Sequence, residues 1–152
     1  MMKILALDCA TQTGWAVTDN ATIIESGSQS FAKRRGESNG IMFLKFRKWL
    51  ETLISLWKPE VVAYERAHFR GGAATEICVG LQTRVQEIAA DNGIELLPVA
   101  TGELKKFATG KGNAGKHEIM KAAEVHLQRP PIDDNEADAV FLALFASREV
   151  ER

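Results

Sequence analysis

Short apolar runs separated by turn residues open the chain. KILALD (residues 3–8) is mostly apolar and ends in a carboxylate, which predicts a buried strand. CATQTG follows as a turn, WAVT (15–18) reads as a second strand, and ATIIESGSQSF (21–31) as a third. Three strands joined by tight turns predict an antiparallel meander. KRRGESNG (33–40) is then a polar loop rich in turn residues.

From Ile41 to Trp57 the period changes. Met42, Phe46, Trp49, Leu50, Leu53 and Trp57 recur at steps of three and four, which predicts an amphipathic helix that Lys58-Pro59 ends. EVVAYE (60–65) predicts a fourth strand, again closing on a carboxylate. Residues 73–91 predict a second helix, with Ile77, Leu81, Val85 and Ile88 on one stripe and Gly93 just past its end. IELLPV (94–99) reads as a fifth strand, and TGELKKFA begins a short helix with Thr101 as its cap. After the loop GKGNAGK comes a helix through HEIMKAAEVHL; Arg129-Pro130-Pro131 breaks the chain, and Asp134 to Ser147 forms a last helix. The order predicts one α/β domain over residues 1–152, with a mixed sheet.

Composition narrows the class without naming a function. Of the 152 residues, 45% are hydrophobic and 26% charged, the usual balance of a globular domain. No apolar run approaches the ~20 residues that span a bilayer. The start, MMKILALDCATQTG, turns polar too soon for a signal peptide, so the expectation is a cytoplasmic protein with no membrane partner. Cys9 and Cys78 lack metal-ligand spacing and are read as small buried apolar residues. Net charge is −1, yet Lys33-Arg34-Arg35, Lys45-Arg47-Lys48 and the lysines at 105, 106, 111, 116 and 121 form basic islands. Each island alone fits a solvated face; together they suit an anionic partner.

GKGNAGKH (110–117) matches all but the last position of a phosphate-binding P-loop, where His117 stands in place of the Ser or Thr that would hold Mg²⁺. The residues before it, ELKKFAT, have a helical pattern rather than that of a strand, so no nucleotide cofactor is expected. Three glycines flanked by Lys111 and Lys116 suit close approach to some phosphate, or are an ordinary flexible loop.

Acidic residues carry the stronger signal. Asp8 ends the first strand and Glu65 the fourth; if those strands are parallel neighbours, both carboxylates lie at one sheet edge. Asp134 and Asp138 are four apart at the start of the last helix and share a face. Were that helix to cross the same edge, three or four carboxylates would converge, a set suited to hard divalent cations such as Mg²⁺ or Mn²⁺. Taken singly, each acid is equally a strand end or helix cap.

The combination ALDCATQTGWAV, VVAYE, TGKGNAGKHEIM and DDNEADAVFLAL, in this order and spacing over nearly the whole chain, resembles the RuvC-type Holliday junction resolvases. These belong to the ribonuclease H-like nuclease superfamily, and the chain looks most like the short versions carried by bacteriophages. The resemblance implies a ribonuclease H-like fold whose five-stranded mixed sheet joins the antiparallel meander to two parallel strands. It also implies a homodimer that nicks paired strands of a four-way DNA junction with two Mg²⁺ ions per site, leaving 5′-phosphate and 3′-hydroxyl ends. By position Asp8 would bridge both metals, Glu65 would hold one, and Asp138 would be the main ligand from the last helix. Lys116 matches a catalytic lysine at the scissile region; Lys105 and, in the glycine loop, Lys111 would be DNA contacts.

The chain departs from the family pattern at two places. Asn135 stands where the family has Asp or His, so Asp134 or Asn135 would complete the metal ligands. After Glu65, RAHFRGG offers Arg66, His68, Phe69 and Arg70 as DNA contacts, with Phe69 either stacking on an opened base or packing locally. The helix over 73–91 would carry the dimer interface, or simply cover the sheet. The alternatives weighed are a ribonuclease H-like enzyme acting on RNA or RNA–DNA hybrid, a non-catalytic branched-DNA binding module, and an actin-like ATPase, which needs a far longer chain.

Overall fold

Along Lys3–Asp8, the first strand (β1), Ile4 and Ala6 face one apolar layer and Leu5 and Leu7 another. A strand buried on both faces belongs in the middle of a sheet covered on each side. The computed structural model, which describes residues 2–67 and 71–151, has that arrangement.

β1 pairs antiparallel with β2 (Gln12–Asp19), which pairs antiparallel with β3 (Thr22–Ser30). On its other side β1 runs parallel to β4 (Val61–Glu65), which runs parallel to β5 (Glu95–Val99). The order is β3-β2-β1-β4-β5, the expected meander joined to two parallel strands. The second strand is longer than WAVT suggested, because its ladder with β1 runs to Asp8↔Gly14, right up to the turn.

Helices α1 (Asn39–Trp57) and α2 (Gly72–Asp91) cover one face. Met42, Phe46, Leu50, Leu81, Val85 and Ile88 pack there on Leu5, Leu7, Val62 and Tyr64. Phe31, Phe46 and Trp49 meet at centroid separations of 5.2–5.7 Å. α3 (Thr101–Thr109), α4 (Lys116–Leu127) and α5 (Asp134–Val150) cover the opposite face. α5 lies on Ala6, Ala16 and Ala63 through its own Ala137, Ala139 and Ala143. Small residues on both sides let the helix axis come close to the sheet.

α5 is held at its start by a buried network that the sequence did not announce. Glu136 is fully buried. It accepts from both terminal nitrogens of Arg129, at 3.0 and 2.6 Å, from Ser26 Oγ at 2.7 Å and from the Ile132 amide at 2.7 Å. Burial pushes its carboxyl up, but Arg129 and the other donors outweigh this and hold it below its ordinary value. Asp133 caps the helix, accepting from the Glu136 amide at 2.9 Å, and itself takes a 2.6 Å bond from Ser28 Oγ. Arg129-Pro130-Pro131 therefore does more than break the chain: Arg129 ties the entry of α5 to β3.

No helix among the described residues is long and apolar enough to cross a membrane. Cys9 is buried as expected, whereas Cys78 is only partly so; its thiol donates to the Cys9 carbonyl at 3.3 Å. Burial, and then the charge of Asp8, pushes both thiols up, which leaves them poor nucleophiles.

Candidate active site at the sheet edge

Strand parity decides where the first two acids point. Asp8 follows Ile4 and Ala6 at steps of two, and Glu65 follows Val61 and Ala63 in the same way. Both therefore project from the face that α5 covers, at the carboxyl ends of two neighbouring parallel strands. The turn after β1 is closed by buried Thr13, whose hydroxyl donates to the Ala10 carbonyl at 2.6 Å. Gly14 follows, opposite Asp8 in the ladder. A Cβ at Gly14 would stand 1.8 Å from the Asn135 carbonyl oxygen, so glycine is what admits the first turn of α5. Asp138, one turn further along the helix, is thereby brought over the strand ends.

The result is a cluster. One carboxylate oxygen from each of Asp8, Glu65 and Asp138 lies within 4.8 Å of the others, and all three side chains are partly buried. Desolvation, and then the charges of Asp138 and Glu65, raise the Asp8 carboxyl well above its ordinary value. Desolvation, with the charges of Glu65 and Asp134, raises Asp138 to about 7, although Lys105 and Lys116 pull it down. Like charges held this close oppose one another's ionisation. An all-oxygen donor set with surplus negative charge fits a hard divalent cation, which would relieve that repulsion.

Most of the remaining candidates have a definite place. Asp134 does not join the cluster; its Oδ2 is 3.3 Å from Lys116 Nζ, an ion pair across the α4 and α5 starts. Asn135 presses its main chain onto Gly14. Lys116 is the first residue of α4 and its side chain is 83% exposed, close enough to the cluster for its charge to reach Asp138. Lys105 acts on Asp138 from α3. Lys111 is exposed and lies 4.0 Å from Glu118. The residues before Gly110 are helical, as expected, and not the strand that a nucleotide P-loop requires. Arg66 is exposed, and its amide donates to the Val99 carbonyl at 2.9 Å, extending the β4–β5 ladder. His68, Phe69 and Arg70 lie outside the described residues.

Two neighbours of Glu65 escaped the sequence reading. Thr101 was expected to cap α3, but Ala100 occupies the cap position and the Thr101 hydroxyl donates to Glu65 Oε1 instead. Buried Gln82 of α2 donates to the Glu65 carbonyl at 2.9 Å and accepts from the Ala67 amide at 3.3 Å, clamping the main chain on both sides of Arg66. A buried glutamine in an apolar stripe was the available signal, since such a group needs partners.

The model of the family described as crossover junction endodeoxyribonuclease RuvC matches residues 4–146. The chain belongs to the RuvC family. RuvC of Synechococcus sp. (strain WH7803) is 29% identical over 150 residues, spanning 94% of this chain and 96% of that protein. RuvC of Akkermansia muciniphila is also 29% identical, over 94% of this chain and 89% of its own length. Among solved structures, T. thermophilus RuvC in complex with Holliday junction substrate superimposes with a TM-score of 0.81 at 18% identity, covering 98% of this chain and 97% of that one. Fowlpox virus resolvase bound to Holliday junction DNA gives 0.65 at 13% identity, covering 99% and 100%. The fold is thus the ribonuclease H-like fold of the RuvC resolvases.

Proposed function

We propose that this RuvC-family chain is a divalent-metal-dependent endonuclease that resolves four-way DNA junctions by paired nicks, working as one nuclease domain in a homodimer. The observation that carries the reading is the convergence of Asp8, Glu65 and Asp138, from three separate segments, within 4.8 Å at one end of the sheet. The T. thermophilus and fowlpox virus proteins of the same fold are bound to Holliday junctions. That shared fold supports branched DNA as the substrate here.

Asp8, Glu65 and Asp138 would hold the metal, with Asp134 or Asn135 contributing a further oxygen once DNA engages Lys116. Divalent cations bound there would activate water and stabilise the leaving oxygen of an in-line phosphoryl displacement. Mg²⁺ is the working ion in this reading, with Mn²⁺ competing for the same oxygens. The burial of Asp8 makes it the acid most dependent on a cation. Asp138, whose carboxyl is raised to about 7, would hold a cation in its deprotonated form. Lys116 would leave Asp134 for the scissile phosphate and stabilise its developing charge. Lys105 partly neutralises the acids, and Lys111 and Arg66 would contact the backbone, as would His68 and Arg70, with Phe69 against an opened base. A second copy would pair through α2, whose Ala74 and Glu76 are exposed and whose Ile77 is partly so.

The deciding experiment uses a synthetic four-way junction, each strand end-labelled in turn, in Mg²⁺, Ca²⁺ or chelator, beside a linear duplex of the same sequence. Paired nicks in opposing strands, dependent on Mg²⁺ and absent from the duplex, are expected. Binding without nicks under every metal would instead identify a non-catalytic junction binder. Cleavage confined to RNA or hybrid would move the substrate, not the chemistry.

A further inference from the structure

The clustered carboxylates come from β1, β4 and α5, yet two groups that act on them come from α3, which supplies none of the acids. Thr101, the first residue of α3, donates its hydroxyl to Glu65 Oε1. Lys105 stands four residues on, hence on the same helix face, and its charge reaches Asp138. Threonine at the start of a helix ordinarily serves the helix itself by capping exposed amides. Here Ala100 holds the cap position of α3 without a side-chain bond, and the Thr101 hydroxyl is directed to an acid 36 residues earlier.

A glutamate side chain is among those with the most rotamer freedom to lose on being fixed. Glu65 has its main chain pinned by Gln82 and one carboxylate oxygen pinned by Thr101. The Thr101 hydroxyl donates to one oxygen, and a carboxylate held in this way can still offer an oxygen to a cation. Partners of this kind fix a ligand's orientation.

We propose that Thr101 is a positioning residue for the metal centre, holding the Glu65 carboxylate in the orientation that binds a divalent cation. The proposal rests on the reading of Asp8, Glu65 and Asp138 as metal ligands, and adds to it a residue that acts through Glu65.

The test is direct Mn²⁺ binding to the full chain without DNA, with free ion counted by electron paramagnetic resonance. Thr101→Val removes the donor and keeps the shape; its dissociation constant for Mn²⁺ should rise about 10-fold, the lower end of effects seen for such partners. Thr101→Ser keeps the hydroxyl and should stay within about 3-fold of the parent, a rescue that a packing role would not produce. Thr101→Ala, which favours the helix and is expected to fold, should show the same loss as valine. Parental Mn²⁺ affinity in the valine and alanine variants would overturn the proposal, and equal losses in serine and valine would do so too. Asp8→Asn in the same titration separates the two ideas. If it loses Mn²⁺ while Thr101→Val does not, the metal site stands and the positioning role falls. If the parent chain binds no Mn²⁺, both fall.

Discussion

Gly14 lies directly beneath Asn135, with no room between them for a methyl group: an added Cβ would sit 1.8 Å from the Asn135 carbonyl oxygen. Gly14 is also the ladder partner of Asp8. A single backbone contact thus sets the distance between the strand that carries one acid and the helix that carries another. Gly14→Ala must push back the first turn of α5. We expect a stability loss of about 3 kcal/mol, at the upper end of ordinary overpacking, read from urea unfolding. Junction nicking should fall on the order of 100-fold in protein that remains folded, because small misplacements of reacting groups are costly. Parental nicking in Gly14→Ala would show that α5 need not approach this closely.

Asp8→Asn removes the most buried charge of the cluster. Nicking should disappear, while junction affinity in gel-shift titrations stays equal or improves, since a negative charge near phosphates is lost. Retained cleavage would refute the metal role of Asp8.

Metal-free stability should fall as pH rises towards neutrality. Asp138 titrates at about 7 in the folded chain and Asp8 well above its ordinary value, whereas both return to about 4 on unfolding. Between those values the native state holds more protons than the unfolded state, so their contribution is complete below about pH 4 and is lost as pH climbs through the folded values. Melting temperatures in chelator should therefore decline from pH 5 to 8, more steeply in the parent than in Asp138→Asn. Millimolar Mg²⁺ should reverse the decline at pH 8, because the cation takes the place of the proton. Identical pH profiles for the parent and Asp138→Asn would contradict the shift.

Asp134 and Asn135 can be separated by rate. Asp134 pairs with Lys116 at 3.3 Å and contributes charge to the cluster, while Asn135 contributes its main chain to the contact with Gly14. Asp134→Ala should lower single-turnover nicking by about 10-fold or more, the scale of a lost outer partner, and Asn135→Ala by only a few-fold. The reverse ranking would place the Asn135 side chain at the metal.

Much of this molecule is local and was legible along the chain. Short apolar runs between turn residues marked five strands, steps of three and four marked the long helices, and carboxylates at the ends of KILALD and EVVAYE stood out because an apolar run is a costly place for charge. Parity then aims Asp8 and Glu65 at the same face once their strands are parallel neighbours. What the pattern could not decide was which groups meet across the fold. Asp134 looked as suited to the cluster as Asp138, since both share a helix face, but the docking angle of α5 on Gly14 and the approach of Lys116 sent them to different partners. Nothing in the pattern singles out Glu136, yet the fold buries it against Arg129 and Ser26. Thr101 looks like a helix cap until β4 brings Glu65 to it. Sequence by itself determined the elements, their faces and the kinds of chemistry at their ends, because these follow from each residue's neighbours in the chain. Tertiary structure alone decided the constellation, because the separation of two carboxylates depends on sheet order and helix docking between segments more than a hundred residues apart.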